Sequence, residues 1–81
     1  NRVEYNGVNI DTLQQLFDSK KIKSKVDKQI LIDNGLVQKN DLVKILGRGE
    51  LKSKLSVTAD AFSSSAKAAI EKAGGSANIT E

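Results

Sequence analysis

The sequence contains no cysteine and no histidine, and only three of its 81 residues are aromatic. Without cysteine there is neither a disulfide framework nor a thiolate metal site, which is typical of a small domain in a reducing compartment. Without histidine, the side chain most often used for acid–base catalysis near neutral pH is missing. The ten carboxylates are scattered and mostly lie beside lysines, as on a solvated surface. We therefore expect neither an enzyme nor a bound cofactor or metal.

No hydrophobic stretch approaches the roughly 18 residues that a membrane-spanning helix needs, so no membrane partner is expected. A chain of this length forms one small domain with a thin core, and we predict a single domain over residues 1–81. Because apolar residues make up 38% of the chain and aromatics 4%, the predicted core is aliphatic, with Phe17 and Phe62 as its bulkiest members. The chain begins at Asn1 without a methionine, and we expect a preceding part to be missing.

Thirteen basic residues exceed ten acidic ones and give a net charge of +3, which suits an anionic partner but also any soluble basic protein. Two segments together hold nine of the thirteen basic residues. The first contains Lys20, Lys21, Lys23, Lys25 and Lys28. The second contains Lys44, Arg48, Lys52 and Lys54. The part of the first segment from Lys20 to Lys25 is interpreted as a loop, that is, a solvated connection, or as a short exposed strand.

Two short helices are predicted in the first half of the chain. Asp11 followed by Gln14 is typical of an N-cap with its capping partner, and indicates a helix over roughly residues 11 to 18. Asp27 is a second natural N-cap, and the apolar residues after it indicate a helix over about residues 28 to 34.

The clearest helix lies near the end of the chain, where Ser63 is a natural N-cap and Gly74 supplies the stop. Its apolar stripe consists of Ala66, Ala69, Ile70 and Ala73. Strands are predicted from the apolar run 42–46, from the alternation over 55–59, and from Ala77 with Ile79. This mixture of elements with short connections predicts a small mixed α/β domain, and its units recur every 20 to 30 residues or so, as in an irregular solenoid.

Gly47-Arg48-Gly49 permits two interpretations. Glycines let backbone amides approach a phosphate closely, and Arg48 can fork onto a phosphate or a guanine edge. Most such pairs, however, are simply tight turns, and neither a third glycine at dinucleotide-fold spacing nor a G-K-[ST] element follows. The basic residues around the turn favour the phosphate interpretation.

A long series of spaced residues resembles the signature of a known family. It runs through Lys44-Ile45-Leu46-Gly47-Arg48-Gly49-Glu50-Leu51, then Leu55, Val57, Phe62-Ser63, Ala66, Ile70 and Gly74. Upstream, it includes Val8-Asn9-Ile10, Leu13 and Asn34-Gly35-Leu36-Val37. The family is that of the fifteenth protein of the bacterial large ribosomal subunit. Asp60 departs from the pattern, which is more basic or polar there.

The resemblance implies the C-terminal globular domain of that protein, an irregular superhelix of β-β-α units. It also implies a glycine-rich, basic N-terminal extension that threads into ribosomal RNA, and this sequence holds nothing like it. Large-subunit ribosomal RNA and neighbouring large-subunit ribosomal proteins are the implied partners, in the ribosome of the cytoplasm, with no small-molecule substrate.

Our hypothesis is a structural protein that binds and stabilises folded ribosomal RNA through phosphate contacts. The predicted contact residues are Lys44, Gly47, Arg48, Gly49, Lys52, Lys54, Ser63 and Lys67. The alternative is a protein–protein interaction module that docks neighbouring ribosomal proteins, because a domain with few aromatic residues is a poor platform for stacking single-stranded bases.

Overall fold

The computed structural model describes residues 5–80; residues 1–4 and 81 of the predicted domain lie outside the described residues. The elements in chain order are β1 (Tyr5–Asn9), α1 (Ile10–Asp18), β2 (Lys25–Val26), α2 (Lys28–Asp33), β3 (Leu42–Leu46), β4 (Ser56–Ala59), β5 (Ala61–Phe62), α3 (Ser64–Lys72) and β6 (Ser76–Ile79).

Consecutive strands alternate between two parallel sheets, which winds the chain into a superhelix. The odd sheet has the order β1-β3-β5 and the even sheet the order β2-β4-β6. Each strand pairs with the strand one superhelical turn away, and the turns differ in length. Tyr5 lies opposite Leu42, 37 positions along the chain, whereas Lys44 lies opposite Ala61, only 17 positions along. The predicted α/β class is confirmed, and the unequal turns make the superhelix irregular.

The inner faces of the two sheets enclose the core, because alternate residues of a strand point to opposite sides. The completely buried strand residues include Val43, Ile45 and Val57, and the helices add Ile10, Leu13, Leu31, Ala66 and Ile70. Phe17 and Phe62, predicted as the bulkiest core members, are only partly buried and pack against this cluster. That prediction is wrong because Phe17 lies in the last turn of α1 and Phe62 in an edge strand, so both side chains stay partly open to solvent.

Elements with a strong local signal were predicted correctly. Strand β3 has the expected bounds, 42–46. The Asp27 carboxylate accepts a hydrogen bond from the Ile30 amide at 3.0 Å, and the Ser63 hydroxyl accepts one from the Ala66 amide at 3.2 Å, so both residues cap their helices as expected.

The first helix begins differently from the prediction. Its N-cap is Asn9, whose side chain makes no capping hydrogen bond, and Asp11 lies inside the first turn. The capping pair of Asp11 and Gln14 is therefore wrong. The cause is β1, which was not predicted and which leads directly into α1, so the helix starts where pairing with β3 ends.

Strand β1 is fixed by contacts far along the chain. The Asn6 amide donates to an Asp41 carboxylate oxygen at 3.1 Å, and the Gln38 backbone amide donates to the same oxygen at 2.8 Å. The bond from Gln38, and then that from Asn6, lower the pKa of the Asp41 carboxyl below its ordinary value because they stabilise its charged form. Strand β1 is thereby tied to the turn that precedes β3.

Asp60, where the resemblance leads us to expect a more basic or polar residue, has a structural role. It forms the single-residue connection between β4 and β5. Its carboxylate accepts from the Val43 amide at 2.8 Å, and its own amide donates to the Val43 carbonyl at 3.1 Å. Asp60 therefore closes the tight passage from the even sheet to the odd sheet, which a basic side chain does not do, since it cannot accept a hydrogen bond.

The three helices of residues 5–80 end in the same way, with one residue in the left-handed region. Gly35 (φ 75°) ends α2 and Gly74 (φ 89°) ends α3, but Lys20 (φ 61°) ends α1. At α1 the Lys20 amide donates to the Phe17 carbonyl and the Lys21 amide to the Leu16 carbonyl, at 3.0 and 2.9 Å. This pattern is the Schellman motif, which favours glycine because a β-carbon is crowded there.

Replacing Lys20 by glycine removes that crowding. We expect Lys20→Gly to raise the free energy of unfolding by about 1 kcal/mol, measured by urea denaturation followed by circular dichroism. Ser19→Gly is the matched control, because Ser19 has an ordinary φ of −82°. It should lower stability through the added freedom of the unfolded chain, and a gain in both variants would contradict the assignment.

Candidate functional site

Residues 47–55, hereafter the connection, join β3 to β4 and lie between α1 and α3. On one side, the Asp11 amide at the start of α1 donates to the Arg48 carbonyl at 3.4 Å. On the other side, residues 49–52 line a cleft together with Ala69, Lys72 and Ala73 of α3. The connection is thus packed along two helices, while its basic side chains stay exposed.

Gly47 is required by close packing. Its amide donates to the Ser63 hydroxyl oxygen at 3.2 Å, and a β-carbon on it would lie 2.6 Å from the backbone nitrogen of Ala66. At the other end of the connection, a β-carbon on Gly75 would lie 2.9 Å from the carbonyl carbon of Leu55. Both distances are too short for any residue but glycine, so the connection touches α3 backbone to backbone at its start and the chain after α3 at its end.

Gly49 has a structural explanation as well. Its φ is +87°, and a β-carbon on it would lie 2.8 Å from an Asp11 carboxylate oxygen. The two glycines of Gly47-Arg48-Gly49 therefore give room to other parts of this protein, which favours the tight-turn interpretation. A carboxylate beside Gly49 also makes that backbone a poor cradle for a phosphate.

Gln14 holds the middle of the connection, and sequence reasoning missed this role. Its side-chain oxygen accepts from the amides of Lys52 and Ser53 at 2.8 and 3.0 Å. Its side-chain nitrogen donates to the Ser53 hydroxyl and to the Asp18 carboxylate, both at 2.9 Å. No local signal reveals these bonds, because Lys52 and Ser53 lie 38 and 39 positions further along the chain.

The basic side chains of the connection are spread along α3. Arg48 and Lys52 are exposed and follow the contact of Gly47 with the first turn of the helix. The stem of Lys54 lies at the other end, with its Cγ and Cδ 3.9 Å from the position of a β-carbon on Gly74. A helix of nine residues is about 13 Å long. The basic residues of the connection are therefore distributed along α3 rather than gathered at one point.

The remaining predicted residues lie in different surroundings. Lys44 is half-buried in β3, between Gly7 and Ala61 of the neighbouring strands. The Ser63 hydroxyl is engaged by the Gly47 and Ala66 amides. Lys67 lies about 140° around α3 from Lys72, and Lys72 is the lysine that borders the connection. Lys67 and the connection are thus on different flanks of the helix.

The fold and this surface define a class of protein: a small α/β superhelix that presents basic side chains on an ordered backbone. Across residues 5–80, no three acidic, histidine or cysteine side chains are grouped so as to hold a metal ion. No helix in that range is long and apolar enough to cross a membrane.

Comparison with known proteins places the chain in a family. Residues 7–78 match the model that describes ribosomal proteins 50S-L15 and 50S-L18e together with their 60S counterpart. The chain belongs to this family, which confirms the resemblance found in the sequence. It is a family of ribosomal proteins, which supports the expectation of a structural rather than a catalytic role.

Individual relatives agree with the family match. The chain is 57% identical over 75 residues to "Large ribosomal subunit protein uL15" of Christiangramia forsetii, covering 93% of this chain and 50% of the relative. It is 58% identical over 77 residues to the protein of the same name from Flavobacterium johnsoniae, covering 95% and 51%. For Bacteroides thetaiotaomicron the identity is 53% over 75 residues, covering 93% and 50%. The chain spans about half the length of these relatives.

The Gln14 contacts predict a specific loss of order in the connection. We expect Gln14→Ala to lower the free energy of unfolding by about 1–2 kcal/mol and to speed hydrogen exchange at the Lys52 and Ser53 amides by about fivefold to tenfold. Gln29 is a matched control, since it makes the same bond to an aspartate four residues on (Asp33, 2.9 Å) with no contact to the connection. Gln29→Ala should cost less than about 0.5 kcal/mol, and equal costs would contradict the role of Gln14.

The packing of Gly47 predicts a larger loss. We expect Gly47→Ala to destabilise the fold by about 2–3 kcal/mol, because the added methyl group meets backbone that cannot move freely. Gly35→Ala separates packing from backbone strain, since Gly35 has a positive φ but open space around its Cα. That control should lose only about 1 kcal/mol in thermal or urea unfolding, and a smaller loss for Gly47→Ala would argue against the close contact.

Proposed function

We propose that this chain is a structural component of the large ribosomal subunit in the cytoplasm, and that it binds and stabilises folded ribosomal RNA. The phosphate contacts come from the exposed side chains of Arg48 and Lys52, with Lys54 at the end of the same connection. The protein makes and breaks no covalent bond. Other proteins of the large subunit are its further partners.

The observation that carries the proposal is the family match over residues 7–78. Ribosomal proteins assemble on RNA, a polyanion, and arginine or lysine contacts to phosphates supply most of the sequence-independent affinity for such a partner. The excess of thirteen basic over ten acidic residues agrees with this.

The fixed position of the connection supports the same proposal. Gly47 at one end and Gln14 in the middle hold the backbone that carries Arg48 and Lys52. A backbone that is already ordered loses little conformational freedom when its side chains bind, so less of the contact energy is cancelled. Lys72, which borders the connection, adds one more positive charge to this surface.

A second candidate, docking of a neighbouring protein, is favoured by the outer face of the odd sheet. Tyr5 is 50% exposed there, and its register partner Leu42 is only partly buried. Tyrosine is enriched at protein interfaces. Pull-down after nuclease treatment separates the two candidates, because partners retained without RNA would favour docking.

The RNA proposal predicts a charge effect that depends on position. We expect Arg48→Ala with Lys52→Ala to weaken binding of a large-subunit ribosomal RNA transcript by about tenfold near 0.1 M salt. The slope of log affinity against log salt should fall by about 1.5, because each phosphate contact contributes roughly 0.7–0.9. Filter binding over a salt series gives both quantities.

The control removes the same charge elsewhere. Lys28 lies in α2 and Lys39 between α2 and β3, in the part of the chain that runs from the even sheet to the odd sheet. The connection instead joins β3 of the odd sheet to β4 of the even sheet, so neither lysine belongs to it. Lys28→Ala with Lys39→Ala should change the affinity by less than about twofold. If both double variants weaken binding equally, only net charge matters and the assignment to the connection fails.

A further inference from the structure

The lysine-rich segment, residues 20–25, is not used by the surface described above. It follows α1 and leads into β2, so it reaches the start of the even sheet. The Ser24 carbonyl accepts from the Ser56 amide at 2.7 Å, which fixes the end of this segment to the first residue of β4. The segment interpreted from sequence as a solvated connection therefore borders a defined surface.

Two grooves meet at Ser24. The serine groove, of about 540 Å³, lies at the N-terminal ends of the three even-sheet strands and is lined by Ser24, Ser56, Ser76 and Lys54 together with the backbone of Gly74 and Gly75. The lysine groove, of about 610 Å³, is lined by Lys20, Lys23 and Ser24 beside the ring of Phe17. Because Ser24 lines both, the two grooves adjoin each other at this residue.

The hydroxyl groups of the serine groove leave a donor free. The Ser56 and Ser76 hydroxyl oxygens are 3.1 Å apart, so one hydroxyl donates to the other. The Asn78 amide lies 3.4 Å from both oxygens, on the acceptor side of each. Each hydroxyl has one hydrogen, and only one of the two is used within this pair. The other remains to donate to a ligand that accepts hydrogen bonds.

The charged residues that line the two grooves also suit a ligand that is negatively charged and accepts hydrogen bonds. Lys20 and Lys23 line one groove and Lys54 lines the other, against a single carboxylate, that of Asp18. Asp18 already accepts a bond from Gln14. Lys21 and Lys25, both exposed, lie in the same segment. The connection, in contrast, contains an acidic residue of its own at position 50 and packs against another at position 11.

The backbone conformation of Lys20 is an independent observation. It occupies the left-handed position that ends α1, where a β-carbon costs stability and where α2 and α3 have glycine. Its side chain lines the lysine groove. A residue held in a disfavoured conformation at a surface site points to a role for its side chain, and the only chemistry that lysine adds over glycine here is a long cationic arm.

We propose that the serine and lysine grooves form a second binding surface, which takes the phosphodiester backbone of RNA. This inference rests on the proposed RNA-binding function but names a surface that excludes Arg48 and Lys52 and shares only Lys54 with the connection. The lysines neutralise consecutive phosphates, and the free serine hydroxyl donates to a phosphate oxygen or a ribose hydroxyl.

The test compares two double variants of the whole chain, after circular dichroism has verified that each is folded. Lys20→Gln with Lys23→Gln removes charge from the lysine groove, and Lys28→Gln with Lys39→Gln removes equal charge from outside both grooves. With a radiolabelled transcript of large-subunit ribosomal RNA in filter binding, the groove variant should lose about tenfold in affinity, with a salt slope reduced by about 1.5. The control variant should change by less than about twofold.

An uncharged change tests the hydroxyl donor. Ser56→Ala with Ser76→Ala removes both hydroxyls, because either serine alone would still have a free donor. This double variant should weaken binding by about twofold to threefold with an unchanged salt slope, whereas Ser64→Ala, an exposed serine outside both grooves, should have no effect. If the groove variant binds like the control while Arg48→Ala with Lys52→Ala is impaired, the second surface is wrong and the proposed function stands. If the unaltered chain does not bind the transcript, both proposals fail. If the groove variant binds RNA normally but no longer enters the large subunit, the occupant is a protein, contrary to the proposal.

Discussion

Direct contact between the backbone of residues 47–55 and the elements on either side of it is the constraint on which the structure depends. The distance between successive turns of the superhelix equals the spacing between their paired strands, so the two parallel sheets fix how closely the turns approach. On the side where α1, the connection and α3 follow one another, the middle turn has no helix of its own. The connection fits between α1 and α3 only because Gly47 and Gly75 carry no side chain and because Gln14 accepts hydrogen bonds from two backbone amides of the connection. A larger residue at either glycine would separate α3 from the connection and disturb the pairing of β3 with β5.

The same constraint determines how the surface can act. A free loop tip would gather Arg48, Lys52 and Lys54 around one ligand atom, at the cost of ordering the loop on binding. The packed connection instead places Lys54 beside Gly74, at the far end of α3 from Gly47. Charges on such a line fit an extended anion better than a single phosphate group. An extended ligand of regularly repeated charge is what a nucleic-acid backbone provides.

Sequence reasoning succeeded where the cause of an element is local. Ser63 and Asp27 cap helices through bonds to residues three positions away, and β3 is a continuous apolar run. It failed where the cause is distant. Strand β1 contains two asparagines and a glycine, all disfavoured in strands, and is extended only because it pairs with β3. Gln14 has the spacing of a capping partner but bonds to residues 38 and 39 positions away. The sequence shows where basic residues are dense along the chain. Which surface each of them belongs to is known only from the superhelical fold.

Lys54 shows why that division matters. In the sequence it belongs with Arg48 and Lys52, and Lys20 and Lys23 form a separate group some thirty positions earlier. In the fold, the end of the connection enters β4 next to β2, so Lys54 lines the groove that begins at Ser24. The two basic segments thus meet at the start of the even sheet, through the Ser24 to Ser56 backbone bond. A net charge of only +3 is then compatible with a locally basic surface, because Lys20, Lys23 and Lys54 line two adjoining grooves whose lining contains a single carboxylate.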